Sequence, residues 1–264
     1  MRVIAVDWSG DARNARRRIW LAEASHPGTL NRLEAGRDRA EIADYLLALS
    51  SGDLVIGFDF AYSFPTWFID SLGVASAPEL WAHVAARGES WLAGCQPPFW
   101  GHPGRPRPPL VQPALRRTDL AVPRTAGVAP KSIFQIGGAG AVGTGSIRGM
   151  PLLLAFHARG ARVWPYCGDA GLPTLVEIYP RLMTGAVHKS NPMARAELLA
   201  LRYPELSAEH RELATRSEDA FDAAVSALVM VEHVDDLAAL PAEADAALRL
   251  EGRIWHPRWR ADRI

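Results

Sequence analysis

Four apolar residues, Val3 to Val6, run without alternation straight into an acid, Asp7, and Ser9-Gly10 then break the run. A run this short and this continuous suits a strand buried on both faces, in the middle of a sheet. A carboxylate at the end of such a strand carries a desolvation cost that a partner must offset. In open α/β sheets, ligands and reacting groups collect at these strand ends. The pattern recurs. Leu54 to Phe58 runs into Asp59, and Thr174 to Val176 runs into Glu177, followed by Ile178-Tyr179-Pro180. Three hydrophobic runs each end near an acid, and the expected fold class is α/β.

At 264 residues the chain can bury a substantial core, and a single domain over 1–264 is expected. Lys plus Arg and Asp plus Glu both number 29, so no bulk charge draws it to nucleic acid or an anionic membrane, although a local patch has room to exist. Cys95 and Cys167 are too far apart for a CxxC motif, and no disulfide framework is implied. Asp7 interrupts the only apolar run near the start, so no signal peptide is expected. No segment approaches the roughly 18 apolar residues of a membrane span. The expected localisation is cytoplasmic.

After the first strand, the polar, basic Asp11 to Arg18 suits a hairpin loop, with strands expected at Ile19 to Ala24 and Leu30 to Leu33. Asp38 opens a helix with Glu41 three residues on, a capping-box pattern, and Ile42, Tyr45, Leu46 and Leu49 give it one apolar face, with Gly52 as its stop. Residues 62 to 130 depart from this pattern. They carry Trp67, Trp81, Trp91 and Trp100, one expected helix from Ala77 to Leu92, and a proline-dense stretch from Gln96 to Pro130 that bars regular helix or central strand. The segment reads as an insertion, a lid or a rim. Arg105, Arg107, Arg116, Arg117, Arg124, Lys131 and Arg148 face only Asp119 there, which suits either a solvated arm or one that binds a polyanion.

Gly138, Gly140 and Gly143 satisfy GxGxxG after the strand-like Ser132 to Ile136. A dinucleotide site needs a helix opening on those glycines and an acid about 20 residues later. Gly145, Gly149 and Pro151 are expected to postpone the helix to Pro151–Arg159, the next acid is Asp169, and no GK[ST] follows. Both nucleotide motifs are rejected. What remains is a loop of unhindered backbone amides able to approach a phosphate or to turn tightly. Arg162 to Tyr166 is a candidate edge strand, 181–216 reads as polar helix, and Ser217 to His233 is a strong helix with Asp219 and Asp222 on one side. The chain closes on the aromatic and basic Ile254-Trp255-His256-Pro257-Arg258-Trp259.

Each acid has a bland reading as a turn former, a cap or a complement to a helix dipole. Asp222 resists it best, because it lies more than a turn inside its helix beside the apolar face. Together, Asp7, Asp59, Glu177, Asp219 and Asp222 form a candidate carboxylate cluster, and such clusters need cations at neutral pH. Oxygen-only donors favour Mg²⁺ or Mn²⁺ over zinc. The histidines are dispersed, with His157 and His188 the two nearest the glycine loop and the Glu177 strand in sequence.

The ordered set VIAVDWSG, GFDFAYSFP, FQIGGAGAVGTGSIRGMP, VEIYPRL and EDAFDAAVSAL resembles family 429 among the domains of unknown function, described as predicted nucleases. The resemblance implies a ribonuclease-H-like fold, a five-stranded mixed sheet flanked by helices. In it, acids from the first strand, a central strand and the last helix meet at one end, as in Holliday-junction resolvases. Asp7, Asp59, Asp219 and Asp222 match that arrangement and are the implied catalytic residues. The resolvase pattern has Glu where this chain has Asp59, and it assigns no role to Glu177.

The expected function is a metal-dependent phosphodiesterase or nuclease. Asp7 would bridge two Mg²⁺ or Mn²⁺ ions about 4 Å apart, with Asp59, Asp222 and either Asp219 or Glu177 completing the shells. Lys131, Arg148, Gly138 and Gly140 are the expected phosphate contacts, and the Trp/Arg arm is expected to stack unpaired bases. The expected partner is nucleic acid, short or single-stranded, with no membrane. Two other readings share the core: an actin- and sugar-kinase-like phosphotransferase, and a non-catalytic nucleic-acid-binding module.

Overall fold

The computed structural model describes residues 1–25, 28–49, 53–109, 111–125, 127–167 and 173–257. Among them, seven strands build one mixed sheet. β1 (Arg2–Asp7) pairs antiparallel with β2 (Trp20–Ser25), which pairs antiparallel with β3 (Thr29–Glu34). On its other side β1 runs parallel to β4 (Leu54–Phe58). Beyond β4 lies parallel β6 (Thr174–Ile178), whose outer edge is shared by β5 (Arg162–Val163) and β7 (Ile254–Trp255). The five-strand expectation is corrected to seven because β5 and β7 have two residues each, too few to show a period. Pro165, which has no N–H to give a ladder, closes β5.

Alternation along the strands assigns two helical layers. Ile4, Val6, Ile56, Phe58 and Leu175 point to one face, and Val3, Ala5, Val55, Val176 and Ile178 to the other. α1 (Ala15–Arg18) is a single turn within the expected hairpin loop. α2 (Arg39–Ala48) opens on the full Asp38/Glu41 capping box and covers the first face. It ends at Leu49, and the expected stop, Gly52, lies outside the described residues. Arg258 and Trp259 also lie outside them.

The 62–130 segment is packed. It contains α3 (Thr66–Ser71), α4 (Ala77–Gly94) and α5 (Arg117–Ala121), the last in a proline-free gap of the proline-dense stretch. Trp81 is fully buried and Trp100 nearly so. Trp67 and Trp91 join Phe64, Phe68, Phe99 and Phe134 in a ring cluster with neighbouring centroids 4.9 to 6.2 Å apart. The expected base-stacking role is therefore corrected for the buried Trp81 and Trp100, while Trp67 and Trp91 are only half-buried, and all four pack in the core of the first face. They hold the insertion onto the sheet.

α6 (Gly143–Ala158) begins eight residues before the expected Pro151 and takes that proline into its interior. Small residues allow this early start. A Cβ on Gly149 would fall 2.6 Å from the Phe60 ring, and one on Gly143 would fall 1.9 Å from the Ile133 carbonyl oxygen. Close approach of the helix to its neighbours outweighs the poor helix propensity of glycine. Ser132 to Ile136 forms a turn with one bridge, Trp100 to Gln135, in place of the expected strand. The dinucleotide motif thus has a helix but lacks its strand.

The second layer comprises α7 (Pro180–Thr184), α8 (Pro192–Arg202), α9 (Ala208–Arg216) and α10 (Glu218–Glu232). α10 lies across β1, β2 and β3, and Ser217 caps it by accepting from the Ala220 N–H. Gly57 of β4 makes room beneath it, since a Cβ there would sit 2.8 Å from Met230 Sδ. α11 (Val234–Ala238) and α12 (Ala246–Glu251) lead to β7. Among the described residues, no helix is long and apolar enough to cross a membrane.

Candidate functional site

The parity of β1 continues through Val3 and Ala5 to Asp7, and that of β4 through Val55 and Gly57 to Asp59. Both acids therefore face the α10 side at the carboxyl edge of adjacent parallel strands. α10 crosses this edge near its N-terminus and brings Asp222, buried, and Asp219, half-buried, to the same place. The four aspartates read from the sequence thus share one site. Burial first, then Asp59, Asp222 and Asp219, push the Asp7 carboxyl well above its ordinary range. Burial and Asp222 raise Asp59 to about 7. Burial also raises Asp222 and Asp219, against the pull of Lys189 on the first and Arg18 on the second.

Lys189 was missed by the sequence reading. It lies between α7 and α8, is mostly buried, and donates its ammonium to Asp222 Oδ2. Nothing in HKSN separates it from an ordinary surface lysine, because only the α7–α8 connection turns it toward α10. The other oxygen of the same carboxylate, Asp222 Oδ1, is buried without a hydrogen bond. Arg18 stands 3.7 Å from Asp219. Among the described residues no three acids stand close enough together to hold a metal ion. The donor chemistry nonetheless fits a hard divalent cation: the donors are all oxygen, and one buried carboxylate oxygen is unsatisfied.

Glu177 lines the same cavity as Asp59 and adds to the rise of its carboxyl, but its side chain is bound elsewhere. Its parity follows Leu175, so it points to the opposite face. There Arg116, fully buried, donates to both Glu177 oxygens at 2.5 and 2.8 Å and to both Asp119 oxygens at 2.8 and 3.2 Å. Glu177 also accepts from the Tyr62 N–H at 3.0 Å. Burial raises the Glu177 carboxyl and Arg116 opposes the rise. The arm's arginines are thus divided: Arg116 is internal, Arg117 pairs with Asp245 at 3.3 Å, and Arg105, Arg107 and Arg124 are exposed.

A cavity of about 670 Å³ opens beside Asp59. Ser9 and Gly10 line one wall, Gly138 and the start of α6 another, and Lys131 and Tyr179 its rim. Gly138 and Gly140 have positive φ, +78° and +74°, and Lys131 lies over Gly140, where a Cβ would fall 2.0 Å from Nζ. Arg148 is outside this cavity. It pairs with Glu89 at 2.7 Å and donates to the Gly10 carbonyl, which braces the loop after β1. His157 contacts Cys167 Sγ at 3.3 Å and His188 contacts Ser190 Oγ at 2.9 Å.

No protein-family model, curated protein or solved structure matches the chain.

Proposed function

We propose that the protein is a metal-dependent phosphodiesterase or nuclease with a ribonuclease-H-like core. The observation that carries this reading is the placement of Asp7 and Asp59 at the ends of adjacent parallel strands on the side that carries Asp222 and Asp219 of α10, with one buried carboxylate oxygen, Asp222 Oδ1, left unsatisfied. The strand order β3-β2-β1-β4-β6, with the acids at the ends of β1 and β4 and on the covering α10, supports the core assignment. Asp7, Asp59 and Asp222 would hold Mg²⁺ or Mn²⁺, with Asp219 adjacent. When bound, the cation supplies Lewis acidity and lowers the pKa of a coordinated water. In the hydrolysis the water oxygen bonds to phosphorus, one bridging P–O bond breaks, and the leaving oxygen takes up a proton.

The chain's own groups position the phosphate. Lys131, the Gly138 region and the N-terminus of α6 face the cavity and suit an anion. Tyr179, whose hydroxyl is held protonated by burial and by Asp59, is placed to donate to a phosphate oxygen. Glu177, bound by Arg116, acts as scaffold. The ATP-dependent phosphotransferase remains the second reading, because Ser9, Gly10 and Gly138 line the same cavity.

The test is thermal melting of the wild type and Asp7→Asn across Mg²⁺ and Mn²⁺ titrations, with and without ATP. A metal-dependent rise in Tm that Asp7→Asn abolishes supports the phosphodiesterase reading. No response to metal overturns it, and a rise that needs ATP favours the phosphotransferase.

A further inference from the structure

Two arginines grip the loop that follows Asp7. Arg39, the first residue of α2, donates to the Ser9 carbonyl at 3.0 Å and to the Asp11 carbonyl at 2.9 Å. Arg148 of α6 donates to the Gly10 carbonyl between them and is itself held by Glu89 of α4, at 2.7 and 2.9 Å. Three consecutive carbonyls are thus taken up by guanidinium groups from two helices. Arg39 makes no ion pair among the described residues, and burial, then the nearby Arg148, pull its proton affinity down. A cation in the first turn of a helix also works against the helix dipole. For stability alone the placement is a poor one.

The grip fixes which way the peptide groups face. The C=O and N–H of a trans peptide point in opposite directions. With the Ser9 carbonyl on Arg39, the Gly10 N–H is directed away from that arginine, and it has no partner among the described residues. The Asp11 N–H is already taken by Ser9 Oγ at 3.2 Å. Arg39 and Arg148 line a separate cavity of about 190 Å³ beside α4, and neither lines the larger one. Ser9, Gly10 and Asp11 do line the larger one, together with Asp59. The Gly10 nitrogen also stands next to Gly145, another lining residue, where a Cβ would come within 3.6 Å of it.

We propose that Arg39 and Arg148 are positioning residues that make the loop after β1 an oxyanion-binding wall of the larger cavity, on which the Gly10 N–H donates to a phosphate oxygen. With the carbonyls of 9–11 engaged from behind, the loop offers the anion a donor and no competing acceptor. The two guanidinium charges behind it offset part of the repulsion that the neighbouring acids exert on an anion. The proposal rests on the phosphodiesterase reading for what is done to the phosphate, but binding of the anion does not need the metal.

The probe is inorganic phosphate, titrated in EDTA into protein carrying ¹³C at serine carbonyls and ¹⁵N at glycine. The chain has two Ser-Gly pairs, Ser9-Gly10 and Ser51-Gly52, so the filtered spectrum holds two amide signals, and Ser51→Ala removes the second. The Gly10 amide proton should move downfield and saturate. Arg39→Met and Arg148→Met should each weaken the phosphate affinity read from that signal about tenfold. Arg39→Lys keeps the charge but cannot span two carbonyls, so it should recover only part of the loss. If the Met variants do not fold, the comparison of Arg39→Lys with wild type decides. The proposal is overturned if the wild-type Gly10 signal does not respond to phosphate, or if Arg39→Met binds phosphate as wild type does. It is also overturned if Arg39→Lys equals wild type, because charge alone would then suffice. Failure of the metal reading looks different: the melting response to Mg²⁺ and Mn²⁺ is then absent, while the Gly10 signal still follows phosphate in EDTA.

Discussion

Lys189 donates its ammonium to one oxygen of Asp222 while the other oxygen of that carboxylate is buried without a partner. The cluster therefore has one internal cation for several acids, and its remaining charge is offset by raised proton affinity. Under the proposed function, Lys189 and a divalent cation neutralise the same carboxylate.

Lys189→Met follows directly from that pairing. Removing the ammonium leaves Asp222 buried and unpaired, so the metal-free protein loses stability, by about 3–5 kcal/mol if the site stays dry. The rise in Tm produced by Mg²⁺ should be larger in the variant than in wild type. Melting curves with EDTA and with Mg²⁺ decide it, and an unchanged metal-free Tm would show that the pair adds nothing.

The pH dependence has a definite sign. Asp59 titrates at about 7 in the folded protein against an ordinary 3.8, so the folded state keeps a proton that the unfolded chain releases between those values. Stability of the metal-free protein should fall as pH rises from about 4 to 7. Asp59→Asn should raise the metal-free Tm by a few degrees at about pH 8 and leave it unchanged near pH 4. A Tm difference that does not vary with pH would contradict this.

Arg116 is the counter-charge for two buried acids, Glu177 and Asp119, at the floor of the larger cavity. Arg116→Leu should cost about 3–5 kcal/mol in urea unfolding, because both carboxylates are left without their partner. Adding Glu177→Gln and Asp119→Asn to that variant should recover part of the loss. No recovery would mean that packing of the guanidinium, and not its charge, is what counts.

Gly10 sits against α6, where a Cβ would fall 2.4 Å from the Gly145 nitrogen. That neighbour is backbone and cannot swing aside. Gly10→Ala should therefore destabilise by about 1–3 kcal/mol, read as a fall of several degrees in Tm. An unchanged Tm would show that the loop after β1 moves freely from α6.

Much of the site was legible because strand periodicity is local. An unalternated apolar run ending in an acid marks both a central strand and the carboxylate at its edge, and this placed Asp7 and Asp59. The spacing of Asp219 and Asp222 put them on one side of a helix for the same reason. Glu177 carried the same signature, yet its side chain points away from the other four, since one step along a strand reverses the face. Arg116, Trp81 and Trp100 resembled part of a basic aromatic arm and turned out to be interior, because proline density reports a lack of regular structure and says nothing of burial.

By itself the sequence determined the α/β class, the central strands and four of the acids, consequences of the period at which side chains repeat along a strand or helix, and the Asp38/Glu41 cap of α2, a consequence of local spacing. The tertiary structure decided which acids share a face, that Lys189 enters the cluster, that α6 begins on its glycines, and that Arg116 is buried with Glu177. Those outcomes depend on contacts between residues distant in the chain. Their energies are set by burial and by the charges brought alongside, and neither has a local signature in the order of the amino acids.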